Sequence, residues 1–365
     1  MTELEVKIPA VPACAYKIHI GTDIISSLWE NIQKQFPDCA KFIVTDANVA
    51  AAGHLQKLVG SNDVPTFIID PPGEISKHIQ TVAAIIEKME EALLGRDSMV
   101  VALGGGTVGD IAGLAAAIFK RGIQVLHIPT STVAQADSSI GGKTGVDSAQ
   151  SKNAFGTFWQ PTAVYIDVAT LKTLDDLQYR AGLVESVKHA LIADAGYFDF
   201  FETNIDKILN RDLAVLEKIA VSNCKIKAAV VEEDPTEKNK RRILNYGHTI
   251  GHAVESASDY KLLHGQAVGI GIIAAAKIEE QMGLLKDARL TRIKNILAKL
   301  DMPTTIPEDI KKDSVIEIMK HDKKAVAGRP KFVLLEKIGK ILCENGQYAH
   351  NVPREVVEKI LKELH

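Results

Sequence analysis

The 365-residue sequence predicts an α/β domain over residues 1–175 followed by a mainly α-helical domain over residues 176–365. Three observations carry this expectation. Short β-rich runs alternate with helical patterns from Tyr16 to about Thr170, the rhythm of a parallel sheet with helical crossovers. A glycine cluster stands directly after one of those runs and directly before a helical stretch. Beyond about Asp175, strand-like runs become rare and helical periods follow one another.

The strand candidates, in order, are KFIVT (41–45), PTFIID (65–70), SMVVAL (98–103), IQVLHIP (123–129) and AVYID (163–167). Between the second and third, Ile79–Leu94 carries apolar residues at 82, 85, 86, 89 and 93, the spacing of one helix face, and Gly95 is the expected C-cap. The domain boundary falls at Thr170–Asp176. Helical stretches then follow at Leu183–Ala193, Leu213–Val231, His248–Ser256 and Ala267–Met282. One late exception is KFVLLEKIGKILCE (331–344), where two apolar runs flank Ile338-Gly339-Lys340 and predict a hairpin.

Composition narrows the function. With 46% hydrophobic and 24% charged residues the chain is expected to fold throughout. A net charge of −3 and a pI near 6.4 supply no basic field, so nucleic acid is not the expected partner and any anion is held by local lysines and arginines. Cys14, Cys39, Cys224 and Cys343 are scattered without CxxC spacing, which suits a reducing compartment. No run of about 18 apolar residues occurs. The expectation is a cytoplasmic protein with small-molecule chemistry and no membrane contact.

In SMVVAL-GGGTVGD-IAGLAAAIF, Gly104, Gly106 and Gly109 fall in GxGxxG register between strand and helix. There, backbone N–H groups and a helix N-terminus can approach a diphosphate. The dinucleotide fingerprint also calls for an acid at the end of the next strand, where the sequence reads His127-Ile128-Pro129. An acid does follow an earlier strand, Asp46 in KFIVTD-AN, which would place a ribose near Asp46 and Asn48 in a variant binding mode. A tight turn with glycines kept for packing alone is the alternative.

His248 and His252 are four residues apart in a helical stretch and share a face, and His264 follows beyond a loop. Three histidines within 17 residues, in a chain with 11, point to a divalent metal. Glu185, on an apolar helical segment, is the candidate carboxylate, because buried acids seldom lack a partner. Thr249 stands where a zinc protease's HExxH would place its glutamate, so proteolysis is not expected. The segment DSSIGGKTGVDSAQSKN (137–153) reads as a long polar loop after a strand and carries Lys143, Lys152 and Asn153. Lys188 lies one helical turn from Glu185 and is expected to face the same site. With Arg121, Lys227, Arg241 and the pair Lys323-Lys324, these cations suggest a phosphorylated or carboxylated substrate.

These segments together resemble the 3-dehydroquinate synthase family of the sugar phosphate cyclases. The resemblance rests on GE(x)2K at Gly73–Lys77, ALGGGTVGD at 102–110, RG at 121–122, PTST(x)3AD at 129–137, DSSIGGKTGVD at 137–147, KN at 152–153, GLVESVKH at 182–189, RRILNYGHTIGHAVE at 241–255 and LHG at 263–265. It implies a Rossmann-like NAD-binding domain, a helical metal-binding domain and an active site between them. It implies zinc or cobalt on Glu185, His248 and His264, with His252 as a neighbouring active-site histidine. For NAD it implies Asp46, Asn48, Glu74, Lys77, Gly105, Gly106, Asp110, Thr130, Ser131 and Thr173, with Lys143 and Lys152 also in reach. For substrate it implies Asp137, Lys143, Lys152, Asn153, Lys188, Lys227, Arg241, Asn245 and Lys323 or Lys324, with Arg121 acting across a homodimer interface.

The implied activity is that of a carbon–oxygen lyase of the shikimate pathway. It would form 3-dehydroquinate from 3-deoxy-D-arabino-heptulosonate 7-phosphate by transient oxidation, phosphate elimination, re-reduction and aldol closure. Sister cyclases depart from the family pattern in the stretches that here read DSSIGGKTG and RRILN. A metal-dependent polyol dehydrogenase is the other alternative. Departures from the family pattern are Asp147, Ser151, Ile75-Ser76 and Gln266.

Overall fold

The computed structural model describes residues 14–149, 151–284, 288–320 and 330–365. Six strands form one parallel sheet: β1 (Lys17–Gly21), β2 (Lys41–Asp46), β3 (Thr66–Ile69), β4 (Met99–Gly104), β5 (Gln124–Pro129) and, after a separate hairpin of β6 (Lys143–Val146) and β7 (Phe155–Phe158), β8 (Ala163–Asp167). The order across the sheet is β1-β8-β5-β4-β2-β3. The central strands are buried along nearly their whole length, which is why the sequence shows continuous apolar runs there.

Helices cover both faces. Alternate residues of the strands divide between them, as the two-residue period requires. Phe42, Val44, Val100, Ala102 and Val125 pack with α4 (Ile79–Glu91) and α5 (Gly106–Ile118). Ile43, Val101, Leu103, Leu126 and Ile128 pack with α1 (Ile25–Gln35) and α3 (His54–Val59), the latter preceded by the short α2 (Ala47–Ala51). All the sheet's strands end on one edge, and β2 and β4 are the neighbours between which the chain reverses its direction of travel across the sheet. That reversal is where open α/β sheets bind ligands.

From α6 (Asp176–Ala193) onward helices dominate: α7 (Ala195–Thr203), α8 (Ile205–Leu209), α9 (Leu213–Glu233), α10 (His248–Ala257), α11 (His264–Gln281), α12 (Arg289–Lys299), α13 (Lys312–Lys320) and α14 (Arg354–Leu364). Each of the predicted helical stretches is present, as is the expected Rossmann-like alternation ahead of a helical half. Among the described residues no helix is long and apolar enough to cross a membrane.

Four details differ from expectation. Strand β1 pairs in parallel with β8 and was not among the strand candidates. The polar segment after β5 is not simply a loop, since Lys143–Val146 pairs antiparallel with Phe155–Phe158. Helix α4 closes at Leu93 (φ 57°) rather than at Gly95, because Leu94 N–H bonds back to the Met89 carbonyl and tucks Leu94 into the core, leaving Leu93 in the left-handed position. The late hairpin is narrower than predicted: β10 (Leu335–Lys337) pairs with β11 (Lys340–Ile341), while β9 (Lys331–Phe332) pairs with β12 (His350–Asn351).

Candidate metal and cofactor site

Helix α6 is buried on nearly every side, and Asp175 caps its start by accepting the Leu177 and Gln178 N–H groups. The burial puts Glu185 (1% exposed) and Lys188 (0%) inside the protein one turn apart, in direct contact. Helices α10 and α11 approach each other through glycines. A Cβ on Gly271 would lie 1.9 Å from the Gly247 carbonyl oxygen, and one on Gly251 3.0 Å from that of Ala267. Gly265 likewise admits α11 against α6, where a Cβ would meet the Ala181 carbonyl at 1.9 Å.

This close packing gathers the histidines. Ring centroids of His248 and His264 lie 5.4 Å apart, and His252 is 5.0 and 5.6 Å from them. One nitrogen from each falls within a 4.8 Å group. The Nε2 atoms of His248 and His264 are 3.6 and 3.3 Å from Glu185 Oε1. Thus all four residues read from the sequence converge.

The donor set fits a metal. His248 Nδ1 lies 3.0 Å from the Tyr246 carbonyl, which can only accept, so Nδ1 carries the proton and Nε2 keeps its lone pair toward Glu185. His264 Nδ1 lies 3.1 Å from Glu255 Oε2, which likewise can only accept, so Nδ1 carries a proton and Nε2 is the atom turned toward Glu185. Neither Glu185 oxygen accepts a well-formed hydrogen bond, although Lys188 Nζ contacts Oε2. Burial, helped by Lys188, pushes the His248 pKa down to about 3, whereas at His264 burial is outweighed by the neighbouring carboxylates of Glu185 and Glu255 and the pKa rises to about 9, so a metal binding there would displace the Nε2 proton.

Around this group stands an ion-pair cluster. Asp137, on the turn after β5, contacts Lys227 of α9 and lies 3.2 Å from Lys188 Nζ. Burial opposes its charge, but Lys227 and Lys188 hold its carboxyl well below the usual carboxylate range. Arg241 is 1% exposed, donates to the Pro235 carbonyl at 2.7 Å and stacks 5.6 Å from the Phe158 ring. Lys143 and Asn245 meet on Glu237, the amide at 2.8 Å.

A second group lies at the sheet's carboxyl edge. Asp46 caps α2 by accepting Val49 N–H, and Asn48 is exposed beside it. Gly105 and Gly106 open α5, where Cβ atoms would meet Ser131 Oγ at 3.3 Å and Ser138 Oγ at 2.9 Å. Thr130 N–H bonds the Gly104 carbonyl, and Thr173 Oγ1 meets His54 Nε2 at 2.6 Å. Lys77 pairs with Asp110 at 2.7 Å and with Glu74 at 3.9 Å. Lys152 joins the two groups, 3.1 Å from Glu74 and 2.9 Å from Glu255, with the Tyr260 ring 4.4 Å away.

Some predicted residues stand apart. Asn153 sits at the exposed turn of the β6–β7 hairpin with φ 51°, its N–H donating to Asp147. Arg121 is exposed and joins none of these pairs. Lys323 and Lys324 lie outside the described residues. Conversely, Glu237 and Glu255 belong to the site and were not singled out from the sequence. Gln266, one of the departures from the family pattern, accepts the Leu263 N–H at 2.9 Å and so closes the start of α11.

Known proteins are similar to this chain over most of its length. Residues 67–181 match the model of the 3-dehydroquinate synthase N-terminal region and residues 182–325 that of the 3-dehydroquinate synthase C-terminal region. A 3-dehydroquinate synthase of Ruminiclostridium cellulolyticum is 46% identical over 294 residues, 80% of each chain. Among solved structures, a 2-epi-5-epi-valiolone synthase from Streptomyces hygroscopicus subsp. jinggangensis with NAD+ and Zn2+ bound superposes with a TM-score of 0.87 at 26% identity, covering 98% of this chain and 99% of that one. A 2-deoxy-scyllo-inosose synthase complexed with carbaglucose-6-phosphate, NAD+ and Co2+ gives 0.83 at 28%, covering 95% and 96%. The chain therefore belongs to the 3-dehydroquinate synthase family, enzymes within the sugar phosphate cyclases.

Proposed function

We propose that this enzyme converts 3-deoxy-D-arabino-heptulosonate 7-phosphate into 3-dehydroquinate and phosphate, with resident NAD and one divalent metal, zinc or cobalt. The observation that carries the reading is the convergence of Glu185, His248 and His264 next to the Lys188–Asp137–Lys227 cluster and, through Lys152, the glycine loop. When bound, the metal would supply Lewis-acid polarisation of a substrate hydroxyl and NAD a transient hydride acceptor, chemistry that would make a neighbouring C–H acidic enough for phosphate elimination.

The chain's own residues supply the rest. Glu185, His248 and His264 would hold the metal, with His252 beside them as a proton relay. Lys188, buried, and the partly buried Asp137 paired with it would orient hydroxyls. Lys143, Arg241, Asn245 and Lys227 would answer the carboxylate end, and Lys152 with Asn153 and Lys323 or Lys324 the phosphate. Asp46, Asn48, Glu74, Lys77, Gly105, Gly106, Asp110, Thr130, Ser131 and Thr173 would take NAD along the carboxyl edge of the sheet. Arg121, exposed and outside the pairs, would act across a homodimer contact.

Two neighbouring readings are weaker. The sister cyclases named above act without the quinate carboxylate, and this sequence keeps DSSIGGKTG and RRILN, the stretches in which those groups depart. Removing a carboxylate partner would leave Arg241 buried beside an empty subsite. A polyol dehydrogenase has no need of so many cations. Incubation with the heptulosonate phosphate and catalytic NAD is expected to release inorganic phosphate and 3-dehydroquinate without accumulating NADH. Stoichiometric NADH from glycerol, or a different carbocycle, would refute this assignment.

A further inference from the structure

Glu255 is an acid with no place in the assignments above, and its surroundings are unusual. It is 4% exposed on α10, seven residues after His248 and therefore on the same helix face two turns along. Its oxygens are divided. Oε2 takes the His264 Nδ1 at 3.1 Å, and Oε1 takes Lys152 Nζ at 2.9 Å. A surface salt bridge needs neither the burial nor the imidazole; a buried carboxylate needs partners, and this one divides its two oxygens between a histidine and a lysine from separate segments.

Each partner leads to a different place. His264 presents its other nitrogen to Glu185 at 3.3 Å. Lys152, on the segment leading into β7, is held from the opposite side by Glu74 at 3.1 Å, which Thr107 of α5 also reaches at 3.2 Å. One carboxylate thus stands between the histidine cluster and the first turn of the glycine-loop helix. An imidazole whose Nδ1–H is fixed on a carboxylate has its ring plane and tautomer set, and its Nε2 becomes a better ligand.

We propose that Glu255 is a positioning residue that aims His264 at the metal with one oxygen and anchors Lys152 with the other, so that the metal site and the lysine segment share a support. This rests on the reading of Glu185, His248 and His264 as metal ligands. The direct test is titration of metal-free protein with Co2+, read by visible absorption and calorimetry, for wild type, Glu255→Ala, Glu255→Gln, Lys152→Met and His264→Ala. Glu255→Ala should weaken Co2+ by about 10- to 100-fold and alter the d–d bands, with Glu255→Gln, which keeps an acceptor oxygen, falling between.

The shared support adds a second readout. Lys152→Met should change the Co2+ Kd at least about threefold in wild type and leave it unchanged in the Glu255→Gln background, the signature of coupling through one group. If wild type binds no Co2+, or His264→Ala binds it undiminished, the ligand assignment itself fails. If wild type binds and His264→Ala does not, yet both Glu255 variants keep the wild-type Kd within twofold, the positioning role is overturned while the ligand set stands. Folding of the Ala variant is not required, because Glu255→Gln carries the same comparison.

Discussion

His127 lies in β5 against Gly109 of α5, where a Cβ would come 3.4 Å from its ring nitrogen, and burial alone pushes its pKa down to about 4. The consequence for stability has a definite sign. Above about 6.5, the ordinary value, both folded and unfolded chains hold the imidazole neutral. Below it, the unfolded chain takes up a proton that the folded chain refuses until about pH 4, so stability is lost across that window, by roughly 2 to 3 kcal/mol from this group. Denaturant unfolding at pH 6.5 and 4.5 should show His127→Gln losing less stability than wild type by about that amount; parallel losses would refute it. The same residue explains why the dinucleotide fingerprint looked incomplete, since a buried neutral imidazole stands where an acid was expected. Residue chemistry was otherwise legible where partners lie on one helix, as with Glu185 and Lys188. Glu255 and Glu237 escaped notice because no single helix carries their partners: His264 and Asn245 are near in sequence but across a loop or turn, and Lys152 and Lys143 are 103 and 94 residues away.

Among the elements, α11 is the one whose glycines decide the site. Gly271 admits the Gly247 carbonyl, and Gly247, at φ 77°, turns the chain so that His248 opens α10. Gly269, two residues earlier, faces Leu297 at an ordinary 3.5 Å. Gly269→Ala should therefore be tolerated, or stabilise the helix by up to about 1 kcal/mol, whereas Gly271→Ala should push α10 away and cost several kcal/mol together with metal affinity. Thermal melts and metal titration of the two variants would check this; equal behaviour would show that the close approach does not matter. Strands β2, β4, β5 and β8 could be read because both their faces are buried and their apolar runs are continuous, and edge strand β3 because Phe67-Ile68-Ile69 is an apolar run even though Ile68 is exposed. The β6–β7 hairpin could not, because Lys143-Thr144-Gly145-Val146 and Phe155-Gly156-Thr157-Phe158 carry no such run and β7 is exposed throughout. Edge strand β1 has the same difficulty, with no fully buried residue. Helix α4 is a milder case: its apolar spacing was plain, but Leu93 is 91% exposed in a conformation that side chains avoid, which a nearby glycine had concealed.

At the level of the whole molecule, the ligand candidates come from three helices, α6, α10 and α11, so a bound metal ties together parts of the chain that unfolding separates. A metal that binds only the folded state stabilises it by about 2.7 kcal/mol when present at a hundredfold its Kd. Chelator-treated protein should therefore melt several degrees higher when Zn2+ or Co2+ is restored, and His264→Ala should show no such shift. A wild-type curve indifferent to metal would contradict the assignment. The arrangement of charge has a wider effect. From Asp110 through Lys77, Glu74, Lys152, Glu255, His264, Glu185, Lys188 and Asp137 to Lys227, acids and bases alternate in one unbroken series of contacts. Every lysine in it already holds a carboxylate. Within this series an incoming anion thus meets no bare lysine, and it must take over contacts that an internal acid now makes. Recognition becomes a competition between a tethered anion and a free one, and a ligand of suitable charge but unsuitable shape gains nothing by entering.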